Sequence, residues 1–238
     1  MERVIVARVL GSTQHESVVR WARQEATRRG LAVRVVHDGQ PDDLKDAQLV
    51  VTGAGDPDGV LFPACPVVLV PEVPAAQPSA RPDAEIVLGM DAREPARAAV
   101  AFAFATARMR DARLRAVHAW RFPCSAAELP FGVPEQDRAT WEDHEVQLLA
   151  DALRPWREKH SDVHVLEDVR LLPPGRALSR RSASAGLVVV GRSTEREPGP
   201  TLRALLTEAL CPVAVVPMET GLGRRPPAPP TPVSRRSP

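Results

Sequence analysis

The stretch GLVVVGR (Gly186–Arg192) is followed by a second apolar run, CPVAVVP (Cys211–Pro217). Continuous runs of valine, without polar alternation, are typical of strands that are buried on both faces of a parallel sheet. Gly191, Gly199 and helix-forming residues lie between the two runs. A glycine between such a strand and a helix is where α/β folds bind phosphate. The two runs therefore predict an α/β fold with a candidate phosphate site at Gly191.

The composition is that of a soluble globular protein. The chain has 238 residues, 44% of them hydrophobic and 26% charged, and a net charge of +1. This charge gives no reason to expect a nucleic-acid or membrane partner. No apolar run approaches the roughly 20 residues of a membrane span, and a signal-peptide pattern is absent, so we expect a cytoplasmic protein. The three cysteines have no metal-ligand spacing, and their odd number argues against a disulfide framework.

The first third of the chain predicts four strands and one helix. The strands are Val4–Val9, Ala32–His37, Leu49–Thr52 and Cys65–Pro71. Apolar residues at helical spacing, from Val18 to Ala26, predict a helix between the first two strands, and Gly30 ends it.

From residue 85 the pattern restarts and is longer. Predicted strands are Ile86–Asp91, Leu114–Ala119, Val163–Leu172 and Leu187–Val190, before the final Cys211–Pro217 run. Predicted helices are Arg97–Met109, Gln136–His160, Pro174–Ser184 and Pro200–Leu210.

The long helix Gln136–His160 has one predicted apolar face and one predicted solvated face. The apolar face comprises Trp141, Val146, Leu149, Leu153 and Trp156, and the solvated face comprises Glu142, His144 and Glu145. Pro155 is expected to end or bend this helix locally.

The first third of the chain and the part from residue 85 align as a tandem repeat of one β/α domain. Arg34–His37 parallels Arg115–His118, Leu49–Gly53 parallels Leu187–Gly191, and Cys65–Pro71 parallels Cys211–Pro217. The order of elements implies mostly parallel, open sheets with right-handed crossovers. We expect a truncated domain over residues 1–71, a proline-rich linker over 72–84, a complete domain over 85–218 and a disordered tail over 219–238.

These residues resemble the universal stress protein family in its tandem actinobacterial form. The resemblance lies in Ile86–Asp91 with the alanine-rich helix after it, Leu114–Trp120, Ala152–His160, Leu187–Gly191 and Cys211–Pro217. It implies a Rossmann-like parallel sheet with strand order 3-2-1-4-5 in the complete domain. It also implies that the two domains pair through their last strands, which are the Cys-Pro-Val runs. Several members of this family bind ATP between strands one and four, and others do not.

The resemblance also implies a cofactor site. ATP-binding members carry an aspartate at the end of strand one and the loop G-x-x-G-x9-G-[ST] after strand four. Glycines let backbone N–H groups approach the phosphates, and the hydroxyl lies at a helix N-terminus, where anions are favoured. The motif positions carried over in this way are Asp91, Gly191 and Gly199, and Val117, Thr194 and Thr201 complete the set of candidate cofactor-binding residues.

Three departures from that loop argue against ATP as a cofactor. Thr194 replaces the second glycine, and Pro200 takes the hydroxyl position. Four residues separate Thr194 from Gly199, where the family has nine. A proline there removes both the hydroxyl and a backbone N–H donor. In the first domain Leu10 takes the place of the aspartate, so no nucleotide is expected there.

Other candidate residues favour structural roles. His37 and His118 lie at equivalent strand ends, which indicates a structural role rather than a catalytic pair. Cys65 and Cys211 precede buried strands and are expected to be small core residues rather than an inter-domain disulfide. Asp91 is expected to cap the helix that follows it, with or without a ligand.

No nucleophile elbow, Walker loop, paired-carboxylate motif or metal cluster occurs in the sequence, so we expect no enzyme. The resemblance implies a regulatory binding protein of the stress response, in which the truncated domain is expected to be an internal partner for the complete one. The alternatives are an ATP-binding switch or weak ATPase that uses the second domain, and a structural paralogue without a ligand. The partner protein is not identified by the sequence, and a homodimer is an alternative to the internal pairing.

Overall fold

Strands and helices alternate along the chain in this computed structural model, which describes residues 4–9, 15–37, 44, 46–55, 65–71, 84–122, 134–192 and 198–218. The strands are β1 (Val4–Val9), β2 (Ala32–His37), β3 (Ala47–Gly53), β4 (Val67–Val70), β5 (Glu85–Gly89), β6 (Leu114–Trp120), β7 (Val165–Leu171), β8 (Ala185–Arg192) and β9 (Val213–Pro217). The helices are α1 (His15–Arg29), α2 (Arg97–Arg110), α3 (Glu135–Lys159), α4 (Pro174–Ser182) and α5 (Pro200–Glu208). Thr194, the predicted tail and the predicted linker apart from Ala84 lie outside the described residues.

The nine strands form one sheet in the order β2-β1-β3-β4-β9-β8-β5-β6-β7. Neighbouring strands are parallel except β4 and β9, which are antiparallel. The strands of the second half, β5 to β9, lie in the predicted order 3-2-1-4-5. In the described residues of the first half, β1 to β4 follow the same order without a third strand. The prediction of an α/β fold with a mostly parallel open sheet is therefore confirmed.

The helices cover both faces of the sheet, which explains why Leu187–Val190 of β8 is apolar throughout. Leu187 and Val189 pack into the core that holds the buried residues of α1, α2 and α3. Val188 and Val190 pack on the opposite face, with the buried residues of α4 and α5. Because β8 is covered on both sides, alternation of polar and apolar residues is absent from it.

Helix α3 does not end at Pro155, and its apolar face differs from the prediction at one residue. It continues through Pro155 to Lys159, because a proline removes one backbone bond while Trp156 in the same turn stacks on Phe104 at 5.9 Å between ring centroids. Val146 is 44% exposed, so its assignment to the apolar face was wrong. Glu145 takes the inward position instead.

The antiparallel ladder between β4 and β9 joins the two halves. It pairs Val67 with Val215 and Leu69 with Val213. Cys65 and Cys211 precede these two strands, so they lie at opposite ends of the ladder, roughly 20 Å apart at the usual rise per residue. A disulfide requires Cα atoms within about 7 Å, which excludes one between them. Cys211 is a buried core residue, as predicted, and Cys65 is half-buried.

Candidate functional site

Three of the candidate residues lie together at the carboxyl end of the central strands. Gly89 of β5 pairs with Val117 of β6 on one side and with Val190 of β8 on the other. The chain that leaves β5 therefore runs to Asp91 between Val117 and Gly191. The backbone N–H of Met90 donates to the carbonyl of Val117 at 3.1 Å, which fixes the start of this loop.

Gly191 is needed for packing between β8 and the start of α2. A Cβ atom on Gly191 would lie 2.6 Å from the Cβ of Ala96, which real Cβ atoms essentially never approach so closely. A side chain at this position would therefore displace the first turn of α2. Packing alone explains why residue 191 is a glycine, without any phosphate.

The remaining described candidates lie at the start of α5. Gly199 is the N-cap residue, Pro200 is the first residue of the helix, and no side chain caps it. Thr201 is half-buried and lies against α4, where a Cβ on Gly175 would be 3.5 Å from the Cα of Thr201. The position of the α5 N-terminus is therefore set by its close contact with α4.

Replacing Gly175 with valine is expected to lower the free energy of unfolding by about 1–3 kcal/mol, because it overpacks the contact between α4 and α5. A Cβ on Gly175 would lie 2.7 Å from the Cβ of Ala204. Gly199→Ala is the matched control, since nothing lies within 4 Å of the added carbon, and we expect a change below about 1 kcal/mol. Urea unfolding measures both variants, and equal losses would contradict this account of the contact.

Asp91 is exposed and shapes the loop rather than capping α2. Its Oδ1 accepts a hydrogen bond from the backbone N–H of Arg93 at 2.9 Å, which is an Asx turn. Helix α2 begins only at Arg97, after Pro95, and its N-cap residue is Ala96 without a side-chain cap. The prediction that Asp91 caps this helix was wrong, because the loop places the helix start too far along the chain.

A buried histidine and a buried glutamate lie directly beside this loop. His118 is 1% exposed and Glu145 is 4% exposed, and His118 Nε2 lies 2.9 Å from Glu145 Oε2. With Nε2–H donating to the carboxylate, Nδ1 accepts the backbone N–H of Ala92 at 3.3 Å. His118 therefore connects α3 to the loop that follows β5.

Arg93 connects the same two elements by a second route. Its Nη2 donates to the other oxygen of Glu145, Oε1. Burial raises the pKa of Glu145, but the hydrogen bonds from Arg93 and His118 and the charge of Arg93 outweigh this effect and leave the pKa below its usual value of 4.5. One ionised carboxylate on α3 thus holds residues 90–93 at two points.

Sequence reasoning missed Glu145 and placed it on the solvated face of α3. Glu142 and His144 are exposed, as predicted, whereas Glu145 points inward. The available signal was its spacing, since Glu145, Leu149 and Leu153 follow one another at intervals of one helical turn and are all buried.

The two strand-end histidines differ although the repeat makes them equivalent. His118 is covered by α3, whereas His37 is exposed. The described part of the first half has no counterpart of α3, so repeat symmetry does not extend to the surroundings of these side chains.

Within the described ranges, no group of three or more His, Cys, Asp or Glu residues is placed to hold a metal ion. In that same part of the chain, no helix combines the length and the apolar character that a membrane crossing requires.

Comparison with known proteins gives consistent matches. The model of the universal stress protein family matches residues 84–217. A universal stress protein of Mycobacterium tuberculosis is 37% identical over 131 residues, which cover 53% of this chain and 41% of the relative. One from Mycolicibacterium smegmatis is 31% identical over 204 residues, covering 79% of this chain and 63% of the relative. The chain therefore spans less than two thirds of the length of these relatives.

A solved structure has a similar fold at low sequence identity. The crystal structure of a universal stress protein from Archaeoglobus fulgidus has a TM-score of 0.51 and 12% identity, over 91% of this chain and 88% of that one. At this level of identity the similarity concerns the fold alone.

Proposed function

The chain belongs to the universal stress protein family, and from this premise we propose that it acts in the cytoplasm as a non-catalytic regulatory binding protein of the stress response, with a degenerate nucleotide site. The observation that carries the proposal is Pro200 as the first residue of α5. The site residues in question are Asp91, Val117, Gly191, Thr194, Gly199 and Thr201.

Pro200 weakens the position at which a phosphate would be held. A helix N-terminus binds anions through free N–H groups that point out of its first turn. In α5 the first of these groups is missing, and so is the hydroxyl that the family's loop carries at this residue. Gly191 does not offset the loss, since the Cβ of Ala96 occupies the space beside it.

The described nucleophilic and basic groups near the sheet favour binding over catalysis. Burial raises the pKa of the Cys65 thiol to about 11 and that of the Cys211 thiol to about 12, so neither is a thiolate at neutral pH. His118 is buried, and both of its ring nitrogens have partners within the protein. A general base in this position would have to break the contacts that hold the loop.

Calorimetric titration with ATP and magnesium tests the nucleotide part of the proposal. We expect no binding heat from the wild-type chain at millimolar ATP. Pro200→Ser restores a hydroxyl and an N–H donor, and it is expected to give binding heat under the same conditions, since each hydrogen bond to a charged group contributes about 1.5–3 kcal/mol, at least roughly tenfold in affinity.

Pro198→Ser is the matched control for this titration, because it removes a proline just before the helix rather than within it. It is expected to leave the affinity unchanged. Tight binding by the wild type that Asp91→Ala abolishes would instead support the alternative function, an ATP-binding switch or weak ATPase in the second half.

We also propose that the truncated first domain, residues 1–71, is an internal partner of the complete domain, residues 85–218. The ladder between β4 and β9 supports this, because it covers the edge of β9, whose residues Val213–Val216 are buried. An uncovered edge of that composition promotes association with other chains. In this proposal β4 takes the place that a second copy would otherwise fill, and the regulated partner is a further protein.

A further inference from the structure

Helices α1 and α2 meet across the two halves at a buried carboxylate. The side chain of Glu25 is 1% exposed. Its Oε1 accepts a hydrogen bond from Arg29 Nε at 2.8 Å, and its Oε2 accepts one from Arg110 Nη2 at 2.7 Å. Arg29 and Arg110 are themselves largely buried, at 17% and 12% exposed. One acid from the first half therefore accepts hydrogen bonds from a buried arginine of each half.

We call this interface between α1 and α2 the seam, and the contacts across it are reciprocal. Arg29 of α1 lies over the ring of Phe102 at 5.2 Å from its centroid, and Arg110 of α2 lies over Trp21 at 5.7 Å. The repeat that aligns Arg34 with Arg115 also aligns Trp21 with Phe102, Glu25 with Thr106, and Arg29 with Arg110. The seam thus has approximate two-fold symmetry between the halves.

Glu25 and Thr106 break this symmetry. Arg29 Nη2 donates to Thr106 Oγ1 at 3.4 Å, which mirrors the bond from Arg110 to Glu25. At these two equivalent positions of the repeat, α1 carries the carboxylate of Glu25 and α2 carries the hydroxyl of Thr106. Two copies of the second half meeting through this face would bury two Arg110 side chains with two threonines and no acid. A buried guanidinium without a carboxylate is strongly unfavourable.

We propose that this seam selects the partner of the second half: α2 fits a helix that brings a carboxylate to the place of Glu25. The first half supplies that group, and a second copy of the second half does not. The inference rests on the proposed internal pairing of the halves and is independent of nucleotide binding. It identifies the acceptable partner as a related domain with an acid at this position.

Moving the carboxylate across the seam in the full chain tests the proposal. Glu25→Thr is expected to lower the equilibrium constant of folding by more than about a hundredfold, since it leaves buried arginines without an acid. Adding Thr106→Glu should recover most of this loss. A glutamate at position 106 lies one turn from Arg110 on the same helix and next to Arg29 across the seam. Thr106→Val alone is the control, with an expected change below about tenfold.

Urea unfolding measures all three variants, and far-ultraviolet circular dichroism shows whether Glu25→Thr folds at all. If it does not fold, recovery of the folded state in the double variant gives the same support. A double variant no more stable than Glu25→Thr would overturn the proposal, and so would a Glu25→Thr variant as stable as the wild type. ATP binding by the wild type would contradict the proposal of a degenerate nucleotide site, and it would not change the stabilities of the seam variants measured without ATP.

Discussion

Replacing Glu145 with alanine is expected to lower the free energy of unfolding by about 2–3 kcal/mol, because it leaves buried polar groups without their partner. His118 Nε2 loses its acceptor in a site where the histidine is 1% exposed. Arg93 loses the same carboxylate, although its side chain is half-exposed and regains water. The loop from Met90 to Arg93 then loses its contact through Arg93, and His118, which accepts the Ala92 N–H, loses its support from α3, so the loop amides are expected to exchange with solvent faster.

Glu142→Ala is the matched control, since Glu142 is exposed on the same helix three residues earlier. Its expected effect lies within about 0.5 kcal/mol. Urea unfolding and hydrogen exchange at Ala92 and Arg93 measure both variants. Equal stability losses for the two, or unchanged exchange at Ala92 in the Glu145 variant, would show that the carboxylate does not hold the loop.

The same carboxylate gives a pH dependence whose sign follows from its pKa. The folded-state pKa of Glu145 lies below 4.5, so the ionised form stabilises the fold. That contribution is fully present above the unfolded-state value near 4.5 and is lost as the pH falls through the folded-state value. Glu145→Gln removes it, so stability should fall less steeply between about pH 5 and pH 3 in this variant than in the wild type.

Sequence patterns predicted the features that depend on local chemistry or on the repeat. Valine runs identified β8 and β9 because a strand covered on both faces tolerates no polar residue. Gly30 ended α1 as expected, and its φ of +64° is a conformation that favours glycine. The order of the five strands in the second half followed from the family resemblance.

Features that depend on contacts between distant elements could not be predicted. A rotation of one residue along α3 moves an inward position by about 100°, so Glu145 and Val146 exchange places between core and solvent. The positions of His118 and Arg93 beside α3 make an inward glutamate favourable. Likewise the partnership of Glu25 with Arg110 requires that α1 and α2 lie side by side, which no local pattern in either helix indicates.

Removing residues 1–84 is expected to make the remaining chain self-associate. The deletion takes away β4, which pairs with β9 in the intact chain, and so uncovers an apolar edge at Val213–Val216. Edges of this kind pair with other chains unless charge or a bulge prevents it. Sedimentation velocity over a range of concentrations measures the association, and a monomeric, well-folded fragment would contradict the proposal that the first half covers this edge.

The face of α2 that contacts α1 in the intact chain determines how tight that association is. In a pair of such fragments the two β9 edges can meet, but the α2 faces bring two Arg110 side chains and no carboxylate. We therefore expect weak association for the wild-type fragment and at least roughly tenfold tighter association for the fragment with Thr106→Glu, since hydrogen bonds to charged groups contribute about 1.5–3 kcal/mol. Equal dissociation constants for the two fragments would show that they pair through β9 alone. A tighter pair would show that one residue of α2 decides whether this domain joins a copy of itself or the first half of its own chain.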